Sequence, residues 1–423
     1  MNSYTFSVLF VVFLGLTVSL QFWLATRQLR HVARHRNAVP PEFIEKISLT
    51  AHQKAADYTI AKTQFSLVSL FFSVIVLLGF TLFGGLQWLA SSLFQLLGDG
   101  MTFQLALLTC FALISGLLDL PFDLYRQFVL EEKFGFNKMS LKLFFSDMLK
   151  SSLIGAAIGL PLVWVVLSLM GKAGAWWWLY AWLVWSGFQL LMMLIFPTWI
   201  APLFNKFTPL ADDNLRLRIE SLMQRVGFAS SGLFVMDGSK RSAHGNAYFS
   251  GFGDTKRIVF FDTLIERLTP PEVEAVLAHE LGHFKLKHII KRMVIMFAIS
   301  LGFLALLGFL KQQIWFYTGL SVDPIMLANS TNAMALILFM LTLPVFTFIL
   351  SPLGSISSRK HEFEADAFAV KHTNAQDLVS ALVKLYEDNA STLTPDPLHS
   401  AFYDSHPPAS IRIAHLHQHG QLT

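Results

Sequence analysis

Residues 279–283 read His279-Glu280-Leu281-Gly282-His283. Two histidines four apart on a helix lie on one face and can share a zinc ion. A glutamate beside the first can act as a base toward a water that the zinc activates. A hydrolytic zinc site also needs a third protein ligand and an open position. The metzincin pattern would place glycine at 286 and histidine at 289, but Leu286 and Ile289 stand there. His288, five residues beyond His283, falls off the ligand face of a continuous helix. Cys110 is the single cysteine, which excludes a thiolate cluster and an intrachain disulfide. The third ligand is therefore expected to be a carboxylate on a separate helix.

Downstream, Lys360-His361-Glu362-Phe363-Glu364-Ala365-Asp366 offers three acids. Glu362 and Asp366 are four apart and share a helix face, whereas Glu364 points about 200° around from it. One acid of the pair can bind zinc while the other accepts an N–H from a ligand histidine and fixes its tautomer. The competing reading is a solvated helix with incidental histidines and a second with an acidic stripe. The start of the first helix argues against it. Thr269-Pro270-Pro271-Glu272 combines a capping residue, prolines suited to the first turn and a glutamate that completes a capping box.

The elements that must position these residues are membrane helices. The chain has 423 residues, of which 54% are hydrophobic and only 14% charged, a profile of multi-pass membrane proteins. Seven spans are expected, at about Thr5–Leu24, Phe65–Phe83, Phe103–Leu120, Leu153–Gly171, Trp176–Phe196, Met293–Leu310 and Ala333–Leu350. Leu86–Leu97 stays apolar after the second span, as an extension or a re-entrant piece. The first span is followed, not preceded, by arginines (Arg27, Arg30, Arg34, Arg36), the reverse of a cleaved signal peptide. The loops on one side hold only Lys172 and Lys311 of the 32 basic residues. The positive-inside rule then puts the N-terminus outside, with HELGH and the C-terminus facing the cytoplasm.

This divides the chain into spans one to five (1–198), a cytoplasmic catalytic region (199–292), spans six and seven (293–350) and a C-terminal cytoplasmic region (351–423). In 211–226, Leu215, Ile219, Leu222, Met223 and Val226 recur at helical spacing. Gly232–Asp237 reads as a strand, and 244–262 as a hairpin turning at Gly251, Gly253 and Asp254. The HELGH helix is expected to continue into span six. Ser351-Pro352-Leu353-Gly354 should break span seven, with helices from about Ser357 to His372 and Ala375 to Glu387. Ser391–Pro408 reads as a proline-rich loop. Span six leads away from HELGH and span seven returns to Glu362, so an antiparallel pair brings both ligand helices to one membrane face.

These residues resemble the CAAX prenyl endopeptidase family, the a-factor-converting type of integral-membrane gluzincin proteases. The likeness extends over Tyr125–Lys138 (YRQFVLEEKFGFNK), Phe196–Leu210 (FPTWIAPLFNKFTPL), Lys240–Phe249 (KRSAHGNAYF), Arg257–Asp262, Ser358–Phe368 (SRKHEFEADAF) and Ser405–Arg412 (SHPPASIR). The resemblance implies a multi-pass α-helical fold whose seven transmembrane helices enclose a chamber, with a mainly α, zincin-like catalytic region containing a small hairpin. It implies one Zn2+ per chain on His279, His283 and Glu362, with Glu280 as catalytic acid/base. It places Asp366 behind a ligand, His406 and Arg412 near the zinc, and substrate against a strand at Asn246, Ala247, Tyr248 and Phe249. Without it, His406 is an ordinary loop histidine and Arg412 a surface residue.

The implied reaction is hydrolysis of the C-terminal tripeptide of a prenylated protein, in a bacterial inner membrane or the endoplasmic reticulum. The expected partners are a peptide or protein substrate and the lipid bilayer, with no nucleic acid; the sequence carries no signal for an oligomeric state. Two other functions use the same features. A membrane quality-control metalloprotease would need no prenyl group. A seven-span receptor or scaffold with a structural zinc would need a fourth protein ligand, and Glu280 beside His279 argues against it. A transporter is disfavoured by the scarcity of charges in the spans.

Overall fold

The computed structural model describes residues 1–229, 232–250, 257–327 and 329–420. Three of the apolar stretches fold into helices of 32 or 33 residues, far longer than a bilayer requires. Ser3–His35 (α1) and Leu49–Phe80 (α2) are followed by a separate short helix, Gly85–Leu97 (α3), and then by Met101–Tyr125 (α4), Leu141–Lys172 (α5) and Trp177–Ile195 (α6). Seven segments among the described residues are long and apolar enough to cross a membrane. A helix of 32 residues such as α2 is about 48 Å long against a hydrocarbon core of about 30 Å. The surplus carries the basic residues clear of the apolar layer. The stretch after the second span is neither its extension nor part of the same rod. Gly84, at φ 77°, turns the chain, and a Cβ on Gly85 would lie 2.7 Å from the Gly79 carbonyl oxygen. α4 and α6 end in π-helical turns at Arg126–Glu131 and Phe196–Ile200.

The chain then builds a four-stranded sheet with helices packed on it. Phe207–Pro209 (β1) precedes Asp213–Arg225 (α7), Leu233–Met236 (β2), Ala247–Ser250 (β3), Arg257–Phe261 (β4) and Asp262–Arg267 (α8). The order is β1-β2-β4-β3. The expected hairpin is β3–β4, antiparallel with Ala247 opposite Phe260; its turn lies outside the described residues. β2 runs parallel to β4, with Leu233 opposite Ile258, and β1 closes the other edge. β1 was not expected, because three residues ending in proline carry no strand period.

Pro270–Lys285 (α9) carries HELGH. It does not continue into the membrane. Lys287 adopts φ 58°, and a new helix, His288–Leu310 (α10), starts after it. Ile314–Thr318 (α11) and Asn332–Thr347 (α12) lead to Ser351–His372 (α13). The interruption after span seven is a 3₁₀ turn at Phe348–Leu350, three residues before the predicted break. Pro352 fits the first turn of α13, where its missing N–H costs nothing. Ala375–Asp388 (α14) follows, then Pro397–Tyr403 (α15), a helix inside the expected proline loop, and Ala409–Gly420 (α16).

Among the described residues, two large cores and a smaller cluster around Tyr58, Leu130 and Phe136 hold the molecule together. At one end of the spans, Phe10, Leu86, Phe103, Leu167, Phe316 and Leu338 pack together. At the other, Ile219 and Leu222 of α7, Phe260 of β4, Val273, Leu277 and Leu281 of α9, Val379 of α14 and Leu416 of α16 form the catalytic-region core.

The α9 capping box also anchors a neighbour. The Thr269 N–H donates to Glu272 Oε2 at 2.7 Å, while Ser380 and Lys384 of α14 donate to the same carboxylate at 2.6 and 2.7 Å. Burial alone would raise the Glu272 pKa; hydrogen bonds from Lys384, Ser380 and Thr269 outweigh it and hold the group below its ordinary value. A depressed carboxyl contributes stability above its unfolded pKa, about 4.3, and loses it as pH falls through the folded value. Glu272→Gln should therefore lower stability at pH 7 by about 1–2 kcal/mol. The gap to the unsubstituted protein should narrow below about pH 4. Thermal unfolding in detergent across pH measures this, and a gap that widens on acidification would refute it.

Candidate active site

α9 and α13 cross at their closest where HELGH meets EADAF. A Cβ on Gly282 would lie 3.0 Å from Ala365 Cα, 3.1 Å from its carbonyl oxygen and 3.1 Å from Phe368 Cβ. The approach aligns the polar faces on either side. His279 Nε2 and His283 Nε2 lie 3.2 Å apart. His283 Nε2 is 3.3 Å from Glu362 Oε1, and His279 Nε2 is 3.5 Å from Oε2. The sequence left the third acid open between Glu362 and Asp366. The geometry separates them: Glu362 faces both Nε2 atoms, while Asp366 Oδ1 meets His279 Nδ1 at 2.8 Å.

These three residues fit a divalent cation. Two ligands each about 2.0 Å from a tetrahedral ion are about 3.3 Å apart, close to the three separations above. Glu362 Oε2 is buried without a well-formed hydrogen bond, although His406 Nδ1 approaches to 2.8 Å. The cage also favours positive charge. Burial and Arg412 lower the His279 pKa, but hydrogen bonds to Asp366 and Glu362 outweigh them and raise it to about 9. Below that pH a proton competes with any bound cation.

Arg412, on α16, is buried. It grips Asp366 with two bonds of 2.7 Å, from Nε and a terminal nitrogen. Another nitrogen is 3.6 Å from Glu362 Oε2. Asp366 and Arg412 thereby neutralise one another, leaving Glu362 as the acid without a dedicated basic partner. His406 is brought in by a chain of ties. Arg27 of α1 donates twice to Asp396 at 3.2 and 2.9 Å, Asp396 caps α15, and Arg359 of α13 donates to the Ser400 carbonyl. These bonds hold the loop that follows α15 over the end of α13. Glu280 is half-buried on α9.

The other predicted residues sit on the sheet edge. β3 pairs only with β4 among the described residues. The Phe261 N–H donates to the Asn246 carbonyl at 2.9 Å, so by antiparallel alternation Ala247 and Phe249 turn their backbone groups to the open side. The Ala247 N–H is capped by Asn246 Oδ1 at 2.8 Å. The Phe249 side chain packs in the core against Phe228, and the Tyr248 pKa is raised by burial. The motifs before β3 converge to hold it. Arg241 bonds Asp147, Asn205 Oδ1 and the Phe204 carbonyl. His244 stacks on Phe136, 4.5 Å between centroids, and Tyr58 of α2 donates to Glu131 in the π turn at 2.5 Å.

A cavity of about 810 Å³ extends from His406 and Arg412 past Asn246 and Tyr386 to a wall of α1 and α2 that includes Gln21, Tyr58 and Leu70. Tyr386 carried no signal in the sequence, being one residue of an amphipathic helix. Its buried hydroxyl has a raised pKa, caused by burial, and lies in the field of Arg412 and Asp366.

Comparison with known proteins decides the family. Residues 209–419 match peptidase family M48, and residues 28–206 match the family described as CAAX prenyl protease N-terminal, five membrane helices. The chain is 37% identical to CAAX prenyl protease 1 homolog of Arabidopsis thaliana, over 89% of either protein. It is 35% identical to CAAX prenyl protease 1 of Saccharomyces cerevisiae, over 94% of this chain and 92% of the relative. This chain belongs to the CAAX prenyl protease family. The CAAX prenyl protease fold extends to the crystal structure of S. mikatae Ste24p, at a TM-score of 0.91 and 34% identity, covering 97% of this chain and 99% of that one. As a CAAX prenyl protease family member of the M48 peptidases, the chain is a multi-pass membrane metalloprotease.

Gly282 was not singled out by the sequence, where it is one of the two unspecified positions of HExxH. Gly282→Ala should force α13 outward by a few tenths of an ångström and loosen the metal site. Metal release to a chelator should quicken about tenfold, on the scale seen when a ligand loses its support. Unchanged release in a folded variant would show that the close approach does not set the site.

Proposed function

We propose that the protein is a zinc endopeptidase that removes the C-terminal tripeptide of prenylated proteins. The observation that carries the metal chemistry is the convergence of one ligand atom each from His279, His283 and Glu362 within 4.8 Å. Imidazole and carboxylate donors in this set suit zinc. When bound, zinc lowers the pKa of a coordinated water to about 7 and polarises the scissile carbonyl. Glu280 takes the proton from the attacking water and delivers it to the leaving amine. His406, exposed at 62% and touching Glu362, donates to the developing oxyanion. Asp366 and Arg412 fix the His279 ring. Substrate lies extended along the open edge of β3, with Phe249 supplying main-chain groups by β-augmentation and Asn246 facing the cavity.

The prenyl reading is supported by where the cavity leads. Two of its walls are membrane helices, so a lipid-soluble end can enter among them while the peptide reaches His406. The cytoplasm-facing orientation rests on the basic residues concentrated at one end of the spans.

Cleavage of a farnesylated peptide against its unmodified twin tests the substrate class. The farnesylated peptide should show at least about tenfold higher kcat/KM, and a chelator should abolish cleavage. Equal rates on both would leave a membrane protease without prenyl preference. Glu280→Gln should keep the metal and lower kcat by about 10²–10⁴; full activity with metal bound would defeat the mechanism. Orientation is checked with single cysteines in a Cys110→Ser background. An impermeant thiol reagent should label position 376 only from the cytoplasmic side and position 172 only from the opposite side.

A further inference from the structure

Beyond the triad, a second group of titratable side chains meets behind His283. His288 was expected off the ligand face, about 140° around a continuous helix. The helix is not continuous. The left-handed turn at Lys287 re-aims His288, which is 1% exposed, so that its Nδ1 lies 3.0 Å from His283 Nδ1. Its Nε2 lies 2.9 Å from Glu364 Oε2. Glu364, which points away from Glu362 on α13, thereby reaches the same site from behind.

Only one proton arrangement satisfies the three groups together with a bound cation. A Glu364 carboxylate can only accept, so His288 Nε2 carries the hydrogen and donates it. A neutral His288 then has a bare Nδ1, which accepts from His283 Nδ1–H. His283 is left with a bare Nε2 facing Glu362 and His279, the form a metal ligand requires.

We propose that His288 and Glu364 are positioning residues that hold His283 in its metal-binding tautomer and orientation, as Asp366 does directly for His279. The inference rests on the zinc reading of the triad. Each ligand histidine is thus backed by a carboxylate of α13, one in direct contact and one through an intervening imidazole. A second metal site on His288, His361 and Glu364 is the competing reading. It fits less well, because the His361 ring stacks parallel on His288, 4.1 Å between centroids at 11°. Nitrogens in parallel stacked planes do not aim at a common point, and both His288 nitrogens already have partners.

The test uses the full-length protein in detergent, measuring zinc per chain and the rate of zinc release to a colorimetric chelator. His288→Phe removes the acceptor and should speed release by about 10–100-fold. His288→Asn, whose amide oxygen can take the Nδ1 position, should restore most of that loss; a purely structural role predicts no such rescue. Glu364→Gln, at a side chain 35% exposed, keeps an acceptor but loses the charge. It should speed release by a few-fold, less than His288→Phe, and Glu364→Ala should speed it further. One zinc per chain with unchanged release in Glu364→Ala and His288→Phe overturns the proposal. Two zincs in the unsubstituted protein, falling to one in Glu364→Ala, overturn it in favour of a second metal. No zinc in the unsubstituted protein defeats the metal reading itself, and this inference with it.

Discussion

The contact between Gly282 and Ala365 sets the geometry on which the rest depends. Two α-helices normally pack with axes 8–10 Å apart, the lower end requiring small side chains at the crossing. Here a hydrogen on α9 faces the Ala365 backbone of α13. That closeness lets side chains as short as histidine and glutamate converge from both helices. A longer separation would need flexible arms, which hold a metal site less rigidly. The core surrounding the crossing, with Leu277, Leu281, Ala369 and Val370 buried, resists the helices' separation. Glycine within HELGH thus serves packing, at some cost in helix propensity.

Electrostatics supplies the second constraint. Asp366 and Glu362 are both buried and four residues apart on one helix, an arrangement that repels unless positive charge intervenes. Arg412 occupies one side of Asp366 in bidentate contact, the geometry in which a guanidinium best offsets its own desolvation. Glu362 is left to the histidines. A divalent cation at that point would complete the charge balance in the way that Arg412 completes it for Asp366. The arginine therefore contributes to the metal site by settling the neighbouring acid, and it needs no direct contact with substrate to do so.

Where the structure brings together what the sequence grouped, the signal was periodic. His279 and His283 are one helical turn apart, Glu362 and Asp366 likewise, and the apolar runs have the length of a bilayer. Where the two differ, the determinant was a single backbone torsion or a contact distant in sequence. A left-handed lysine at 287 has no compositional signature, so the HELGH helix was extended through it and His288 was set aside. The 3₁₀ turn at Phe348–Leu350 lies in residues indistinguishable from the span before them, and the break was assigned to the proline that follows. α15 is seven residues in a proline-rich stretch, formed because Asp396 caps it. His406 and Arg412 are distant in sequence from the Glu362 and Asp366 carboxylates they touch; Asp396 and α16 bring them there, and neither periodicity nor spacing encodes that.

Membrane topology enters the site through parity. Two apolar helices, α10 and α12, separate His283 from Glu362. An even number of crossings returns the chain to the face it left, so a crossing by one of the two helices alone would put His283 and Glu362 on opposite faces. The hydrophobic core at the far end of the spans has the same requirement. Phe316 of α11 packs against Phe6 of α1, and Trp182 of α6 donates to the Phe297 carbonyl of α10. The place where His279, His283 and Glu362 meet therefore depends on the hairpin of α10 and α12 as well as on the helices that carry the three side chains.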